Sequence, residues 1–438
     1  MQKLINKLLN RQRSIILLIS VAFVSRLAFS FIVWHPDVNN HLDWGIRYFE
    51  YGPEKFYAPE SNIWSYTWPN QPPGTIYIFA FSRKLFESIF NFFWFINIKI
   101  PAFPSGIITY FEHNLYPAVV KLPGIIADFG IAYLLYKYLR ILLKGNRAKI
   151  VSRLGLVVFL YNPVIWYTSS VWGQYDSIIN FFALLSLYLL IKKRLTFSLI
   201  ALALCLFIKL SLVIFLPIYL VYLLKQKYSF FNLLRSILIS FMLIGIFTLP
   251  FSQGEPYSWL YKLYIDKVYV QQQHLITANA FNIWATIATI HLRSYTQYLG
   301  PLMYKTWGFI LFSLAYFPAL YLLYKKSSHN SLIWTLTIAA FSSFMLLPNM
   351  HERYLYPLFP VLTILTIKHV KLIWVYISVS LISLLNLYNF WWVPKLAILV
   401  SFLAYQDRLT PRLLGFVNFI IFIYFYRLYL RQMIRAKL

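Results

Sequence analysis

Carboxylate side chains are scarce in this sequence, and they are placed unevenly. The 438 residues include only 13 Asp and Glu, whereas 60% of all residues are hydrophobic. Ionised acids are costly in or beside hydrocarbon, so an acid next to a long apolar segment calls for a functional explanation. Five of the acids lie shortly after the first apolar segment: Asp37, Asp43, Glu50, Glu54 and Glu60. Their position among Trp, Tyr and Pro residues predicts a functional site there.

Asp37 and Asp43 are the candidates for general-base chemistry in this cluster. A carboxylate whose pKa is raised beside aromatic rings can accept the proton of a hydroxyl nucleophile. Two other interpretations remain open on the sequence. Asp residues commonly cap the start of a helix, and two nearby acids could bind a divalent cation, although the sequence has no tight Asp-x-Asp pair. We expect no metal and no cofactor, with a divalent cation as the less favoured alternative.

Cationic side chains in apolar surroundings form the second group that could do chemistry. Lys209 lies inside an apolar run, where an ammonium group needs a counter-anion or a wet cavity. A phosphate group would fit, and the alternative is a structural ion pair with Asp128 or Asp176. Arg353 and His351 are candidates for binding the same anion. Their alternative role is to extend toward lipid headgroups.

Apolar segments indicate the fold class. Segments long enough to cross a hydrocarbon core of about 30 Å, which takes about 20 residues, recur from Ser14 to the C-terminus. The polar stretches near residues 35–71 and 252–279 are too short and too polar to form soluble domains. The sequence therefore predicts an all-α polytopic membrane protein of one domain. Cys205 is the only cysteine, so an internal disulfide is excluded.

Basic residues give the chain a formal charge of +27, and they cluster between the apolar segments. The clusters fall near residues 3–13, 137–153, 192–194, 225–227 and 325–326. This is the positive-inside pattern, which predicts that they face the cytoplasm and anionic lipid and disfavours nucleic acid as a partner. With the N-terminus inside, an uncleaved first helix over residues 14–34 places the acidic loop outside the cytoplasm.

The same charge rule assigns the remaining segments to one side of the membrane or the other. Residues 76–98 carry three charges near their middle, so we predict an interfacial helix or a shallow hairpin there. The turn at 172–176 and the segment at 350–354 are predicted to lie on the same outer face as the acidic loop. Residues 196–224 are basic on both flanks, which predicts two short helices that meet with Lys209 near the outer side.

Six short motifs follow one another along the predicted outer face. They are Asp37-x6-Trp44, Asn70-Gln71-Pro72-Pro73-Gly74-Thr75-Ile76-Tyr77, Trp172-Gly173-Gln174-Tyr175-Asp176, Lys209-x7-Pro217, Ala278-Asn279 to Trp284, and Met350-His351-Glu352-Arg353. In this order they resemble the GT-C superfamily of polyprenyl-phosphate-sugar-dependent glycosyltransferases. The resemblance is to the eukaryotic glucosyltransferases that cap the lipid-linked N-glycan precursor and to bacterial relatives of the GPI-anchor mannosyltransferases.

The motifs also depart from those glucosyltransferases. Asn70 stands in place of an acid, Asp176 in place of an Asn and Arg353 in place of a Lys. The identity of the sugar and of the acceptor therefore does not carry over from the eukaryotic enzymes. The first Asp is kept, and because it is the proposed base of the family, the resemblance favours Asp37 over Asp43.

The resemblance implies a GT-C fold with about ten to twelve membrane helices and interfacial helices in a long first outer loop. Residues 1–438 would form one domain, with a family-typical module over 1–250, its catalytic outer loop over 35–115 and a variable part over 251–438. The implied location is a prokaryotic plasma membrane, or the endoplasmic reticulum membrane if the source is eukaryotic. The active site would face away from the cytoplasm.

The implied reaction is inverting transfer of one hexose, mannose or glucose, from a polyprenyl-phosphate-linked donor to a hydroxyl of a glycan or glycolipid acceptor. Phosphate is a good leaving group, so one base and cations on the phosphate suffice. Lys209, Arg353 and His351 would hold the phosphate. The sugar pocket would comprise Trp44, Gln174, Tyr175, Asp176 and Glu352. The alternative is a flippase or transporter of lipid-linked sugars, which would also need cations in a central cavity.

Overall fold

The computed structural model of the chain describes residues 9–58, 68–145, 148–269, 274–288, 290 and 293–435. Glu60 and the start of the basic N-terminal segment lie outside the described residues. Helices make up most of the described structure. Its one small sheet is the antiparallel pair β1 (Tyr298–Leu299) and β2 (Leu302–Met303).

The helices have the following bounds. In the first half they are α1 Gln12–Ile32, α2 Val38–Phe56, α3 Pro73–Lys99, α4 Gly106–Leu142, α5 Ala148–Leu160, α6 Pro163–Trp166, α7 Asp176–Ile191, α8 Leu195–Ile208 and α9 Leu216–Leu224. In the second half they are α10 Phe230–Thr248, α11 Pro256–Lys262, α12 Ile283–Ala288, α13 Tyr304–Lys325, α14 His329–Leu346, α15 Leu358–Lys368, α16 Ile373–Tyr388 and α17 Ala397–Arg435. Short 3-10 or π-helical turns adjoin several of them: Tyr167–Trp172, Leu210–Phe215, Leu249–Phe251, Leu263–Tyr269, Glu352–Leu355 and Val370–Leu372.

Six of the described helices are long and apolar enough to cross a membrane. They are Gln12–Ile32, Gly106–Leu142, Phe230–Phe251, Tyr304–Lys325, Val370–Tyr388 and Ala397–Met433. Ala148–Leu160 and Pro163–Trp172, bent by 49° relative to each other, would together make a seventh. The prediction of an all-α multi-pass membrane protein is confirmed. Shorter apolar helices such as α7 and α8 would have to cross as well for the number of spans to reach the predicted range.

The segment predicted as an interfacial helix or a shallow hairpin is the continuous helix α3, which excludes the hairpin. Proline at the first helical position lacks the N–H that a helix start leaves unpaired, so Pro73 favours a start there. Arg83 Nε and Lys84 Nζ lie 2.9 and 2.8 Å from the carboxylate of Glu87. The three charges of this segment therefore pair with one another along one side of the helix.

The predicted break at Lys209 is confirmed. Helix α8 ends at Ile208, and Lys209 has an extended backbone with φ −161° and ψ 133°. A 3-10 turn follows, and Pro217 lies in the first turn of α9, where proline is tolerated. Two short helical arms thus meet at Lys209. The side of the membrane on which they meet stays a prediction.

The turn at 172–176 is shaped by Gly173. Its φ of 76° lies in the left-handed region that favours glycine. A Cβ here would lie 3.0 Å from side-chain carbons of both Lys121 and Val38. Val38 is the first residue of α2 and follows Asp37 directly, so the close packing at Gly173 holds this turn against the segment that carries Asp37.

A buried ion pair ties together the helices that carry the predicted site. Arg26 Nε lies 3.5 Å from Asp128 Oδ2, and the two side chains are 1% and 0% exposed. Ser177 Oγ and Tyr356 Oη donate to Asp128 Oδ1 at 2.6 and 2.8 Å. The network connects α1, α4 and α7 with the turn before α15. Asp128 is therefore the partner of Arg26, and the interpretation of Asp128 as a partner for Lys209 is wrong.

We expect Asp128→Asn to lower the free energy of unfolding by about 3–5 kcal/mol, because it leaves the Arg26 charge buried without a counter-ion. The check is the thermal unfolding midpoint of the purified protein in detergent. The double variant Arg26→Met with Asp128→Asn removes both charges and keeps an oxygen that can accept from Ser177 and Tyr356. The double variant should therefore recover most of the free energy of unfolding that Asp128→Asn loses. An Asp128→Asn protein as stable as the wild type would show that the Arg26–Asp128 ion pair does not stabilise the fold.

Candidate active site

Asp37 lies between α1 and α2, and one of its carboxylate oxygens is held by several partners. Oδ2 accepts hydrogen bonds from Trp172 Nε1 at 2.9 Å and Gln174 Nε2 at 2.8 Å. Arg353 Nη1 lies 3.6 Å from the same oxygen. Oδ1 takes part in no hydrogen bond within the described ranges, and the side chain is 21% exposed. The carboxylate is therefore oriented through Oδ2, while Oδ1 can accept a proton.

The charge of Asp37 follows from its neighbours. Burial works against ionisation, but the Arg353 guanidinium, His35 and the Trp172 hydrogen bond outweigh it and hold the pKa of Asp37 below its ordinary value. The prediction of a raised pKa beside aromatic rings is wrong, because a cation lies close to the carboxylate. Asp37 is ionised at neutral pH, which is the state a general base requires.

Lys209 and Asp176 form a second buried pair in the same region. Lys209 Nζ donates to Asp176 Oδ1 at 2.9 Å, and the two side chains are 7% and 5% exposed. This is the ion pair that the sequence left open as an alternative. Arg353 Nε lies 3.9 Å from Asp176 Oδ2. Arg353 thus stands between two carboxylates and joins Asp37 and the Lys209–Asp176 pair into one charged cluster.

Aromatic rings surround the cations of this cluster. Lys209 Nζ lies 5.0 Å from the ring centroid of Tyr175 and 5.6 Å from that of Tyr354. The Cζ atom of Arg353 lies 5.7 Å from the ring centroid of Trp172. Such distances allow cation–π attraction, which lets a cation remain charged where few waters reach it.

A cavity of about 280 Å³ opens beside the Lys209–Asp176 pair. Asp176, Lys209 and Tyr354 form a polar end of its wall. Apolar side chains dominate the rest of the wall: Ile179, Leu210, Leu212, Ile214, Met350 and Pro357. Gln71, from the second motif, also contributes to the wall. Asp37 does not line this cavity, and Arg353 is the residue that contacts both Asp37 and Asp176.

Comparison with models of known protein families and with curated proteins found no match to this chain. The similarity to the GT-C superfamily therefore rests on the six motifs and stays a prediction. Among the described residues, no three His, Cys, Asp or Glu side chains are grouped so that they could hold a metal ion.

Glu352 lies next to Arg353 and is almost completely buried. Its side chain is 2% exposed, with Oε1 3.8 Å from Arg353 Nη1 and accepting from Trp391 Nε1 at 3.4 Å. Burial raises the pKa of Glu352 to about 6, although Arg353 opposes the rise. The folded state therefore holds a proton on Glu352 more tightly than the unfolded state does.

This difference predicts how stability depends on pH. Between the ordinary pKa of 4.5 and about 6, the folded state binds more protons than the unfolded state, so Glu352 destabilises the fold as pH rises through that window. We expect Glu352→Gln, which cannot ionise, to be more stable than the wild type by about 2 kcal/mol above pH 6. Below about pH 4.5 the difference should vanish. Thermal midpoints at pH 4 and pH 7.5 check both statements.

Glu54→Gln provides the matched control, because Glu54 is exposed on α2. A substitution at an exposed position away from such contacts usually changes stability by less than about 0.5 kcal/mol. If the gain from Glu352→Gln were the same at both pH values, the buried charge would not be its cause.

His351, a predicted phosphate ligand, lies close to the cluster but differs from the prediction in its charge. Burial and then the positive charges of Arg353 and Lys209 lower the pKa of His351 to about 3. A neutral imidazole can donate a hydrogen bond to an anion, but it supplies no positive charge at neutral pH. The backbone of His351 bridges to that of Ala278 and Asn279, which brings the fifth and sixth motifs together.

The structure places Asp43 and Trp44 apart from the contacts of Asp37. Asp43 Oδ1 lies 3.2 Å from Arg47 Nε on the next turn of α2. The ring of Trp44 is buried against His41 and Phe79, with centroids 6.1 and 5.9 Å away. Trp44 therefore packs behind the site, and Asp43 has a nearby cation other than Arg353.

Two residues of the site were not predicted from the sequence, His35 and Trp391. His35 lies between Trp172 and Trp391, with ring centroids 4.5 and 4.8 Å away. Its Nε2 is buried and has no hydrogen-bond partner within the part of the chain that the structure describes. The position of His35, two residues before Asp37, could have indicated that it belongs to the site. Nothing in the sequence indicated this for Trp391, because it is 39 positions from Glu352, the residue that it contacts.

Proposed function

We propose that the protein is an inverting hexosyltransferase that uses a polyprenyl-phosphate-linked sugar as donor and acts at the extracytoplasmic face. One observation carries the proposal. A carboxylate with one oxygen held by two N–H donors lies 3.6 Å from an arginine that also faces the Lys209–Asp176 pair. A positioned base next to a buried lysine and a partly buried arginine is what transfer from a phosphate leaving group requires.

In the proposed reaction, Asp37 Oδ1 accepts the proton of the acceptor hydroxyl while the hydroxyl oxygen attacks the anomeric carbon. The bond between that carbon and the phosphate oxygen breaks, and its electron pair leaves with polyprenyl phosphate. Attack opposite the leaving group inverts the anomeric configuration. Arg353 and Lys209 stabilise the charge that develops on the phosphate. The proton then passes to solvent, which reaches the 21% exposed side chain of Asp37.

The cavity beside Lys209 suits the donor. Its charged end would hold the phosphate, and its apolar wall would contact the first prenyl units. Gln174 orients the base, while Tyr175, Asp176 and Glu352 lie close enough to shape the sugar pocket. The acceptor would be a glycan or a glycolipid.

The test is incubation of the purified protein with a panel of polyprenyl-phosphate sugars and a glycan or glycolipid acceptor mixture. We expect release of polyprenyl phosphate with one sugar of the panel and formation of a product of inverted configuration. Movement of lipid-linked sugar across proteoliposomes without release of polyprenyl phosphate would instead favour a flippase or transporter.

A further inference from the structure

A second polar cavity, of about 320 Å³, lies between the start of α8 and the start of α10. Lys209 follows the other end of α8, so the two cavities are about 20 Å apart along that helix. The residues that line the second cavity include Lys193, Arg194 and Arg235, and they include no Asp or Glu. This cavity therefore has no part in the chemistry proposed for Asp37.

The three cations of this cavity lack carboxylate partners. Within the described ranges, none of Lys193, Arg194 and Arg235 forms an ion pair. Lys193 Nζ instead donates to the Gln226 side chain. The three residues are exposed, so water and salt screen the repulsion among their like charges, and an anion placed among them would offset what repulsion is left. Arginine and lysine together are the usual ligands of phosphate groups.

Hydroxyl groups add to the polar lining. Thr196 Oγ1 and Ser236 Oγ lie 2.8 Å apart on facing helices, so the wall carries two hydroxyls side by side. Tyr228 Oη, from the loop before α10, is buried without a hydrogen-bond partner in the part of the chain that the structure describes. A phosphate oxygen would supply the missing partner for such a donor.

The surroundings of the cavity indicate a lipid as the source of the anion. Phe197, Phe230 and Phe231 are 63%, 70% and 80% exposed, and α10 is one of the helices able to cross a membrane. Apolar side chains exposed on a helix that crosses a membrane would lie against lipid acyl chains. The positive-inside pattern assigns the start of α10 to the cytoplasmic leaflet, where anionic phospholipids are common.

We infer that Lys193, Arg194 and Arg235 bind the phosphate of an anionic phospholipid, whose acyl chains run along the exposed phenylalanines. The test uses the purified full-length protein in detergent and native mass spectrometry to count bound lipids. The probes are short-chain phosphatidylglycerol, phosphatidylcholine with the same chains, and glycerophosphoglycerol, which has no chains. We expect phosphatidylglycerol to bind most tightly and glycerophosphoglycerol to compete only weakly.

Replacing all three cations by Gln is expected to weaken phosphatidylglycerol binding about 100-fold, at roughly one tenfold step or less for each charge. The matched control is Lys137→Gln, Arg140→Gln and Lys144→Gln, which removes the same charge from the last turns of α4 and the segment just after it. It should leave binding unchanged. The single variant Arg235→Gln tests the same site if the triple variant does not fold.

Three results would overturn the inference. Equal binding of phosphatidylcholine would show that the negative charge is not recognised. Equal binding of glycerophosphoglycerol would indicate a site for soluble anions and not for a lipid. Equal loss of binding in the control variant would show that the lipid responds to the net charge of the protein and not to this cavity. Because the readout is lipid binding, it does not depend on whether hexose transfer is detected.

Discussion

Asp37→Asn is expected to lower the rate of hexose transfer by about 10²–10⁴-fold while leaving donor binding largely intact. Asn has nearly the same volume and can still accept from Trp172 and Gln174 through its oxygen. It cannot take up the proton of the acceptor hydroxyl. Arg353 keeps Asp176 and Glu352 as nearby carboxylates, so the phosphate side of the site should be preserved. The measurement is turnover with saturating donor, together with the donor dissociation constant.

Asp43→Asn is the matched control, since Asp43 lies only six positions away and is paired with Arg47. It should reduce transfer much less. A larger loss of transfer in Asp43→Asn than in Asp37→Asn would identify Asp43 as the base. Transfer at the wild-type rate in both variants would show that the base does not lie in this loop. If both variants lost transfer and donor affinity together, and divalent cations changed the wild-type rate, a metal between the two acids would be the better explanation.

Lys209→Met is expected to reduce turnover by at least about 100-fold, because it removes a preorganised charge from the leaving phosphate. The structure adds a second expected effect. Asp176 would remain buried without the ammonium group that lies 2.9 Å from it, with Arg353 at 3.9 Å as the remaining cation, which should destabilise the protein by up to about 3 kcal/mol. Turnover and the thermal midpoint must therefore be measured on the same preparation.

The double variant Lys209→Met with Asp176→Asn separates the two effects. It leaves no unpaired charge from this pair, so most of the stability should return. Turnover should stay low, because the cation at the cavity end is still missing. A stable double variant with native turnover would show that Lys209 serves only as the structural partner of Asp176, the alternative that the sequence left open.

Local patterns were sufficient for the secondary structure around the site. An apolar run of about 20 residues determines a membrane helix wherever it lies in the chain. In the same way, the basic residues on both flanks of the apolar stretch 196–224 predicted the break at Lys209, and the acids after the first span pointed to Asp37. These signals are contained in short segments, so they do not depend on how the helices pack.

The choice of partners needed the tertiary structure. The sequence allowed Lys209 to pair with Asp128 or Asp176. Only the packing of α1 against α4 shows that Arg26 forms the ion pair with Asp128, so that Lys209 pairs with Asp176. The pKa values of Asp37 and His351 could not be predicted from the sequence either. That of Asp37 depends on its distance to Arg353, more than 300 positions away in the chain, and that of His351 depends chiefly on burial in the folded protein.

What the sequence alone determined is that this is a multi-pass helical membrane protein whose few acids, and whose cations in or next to apolar segments, are candidates for chemistry. What the tertiary structure decided is which of them meet. Arg353 joins Asp37 to the Lys209–Asp176 pair, while Asp43 lies beside Arg47. The physical reason is that hydrophobic length is a property of a segment and is retained in any fold, whereas an ion pair or a pKa shift depends on distances of a few ångströms between segments far apart in the chain.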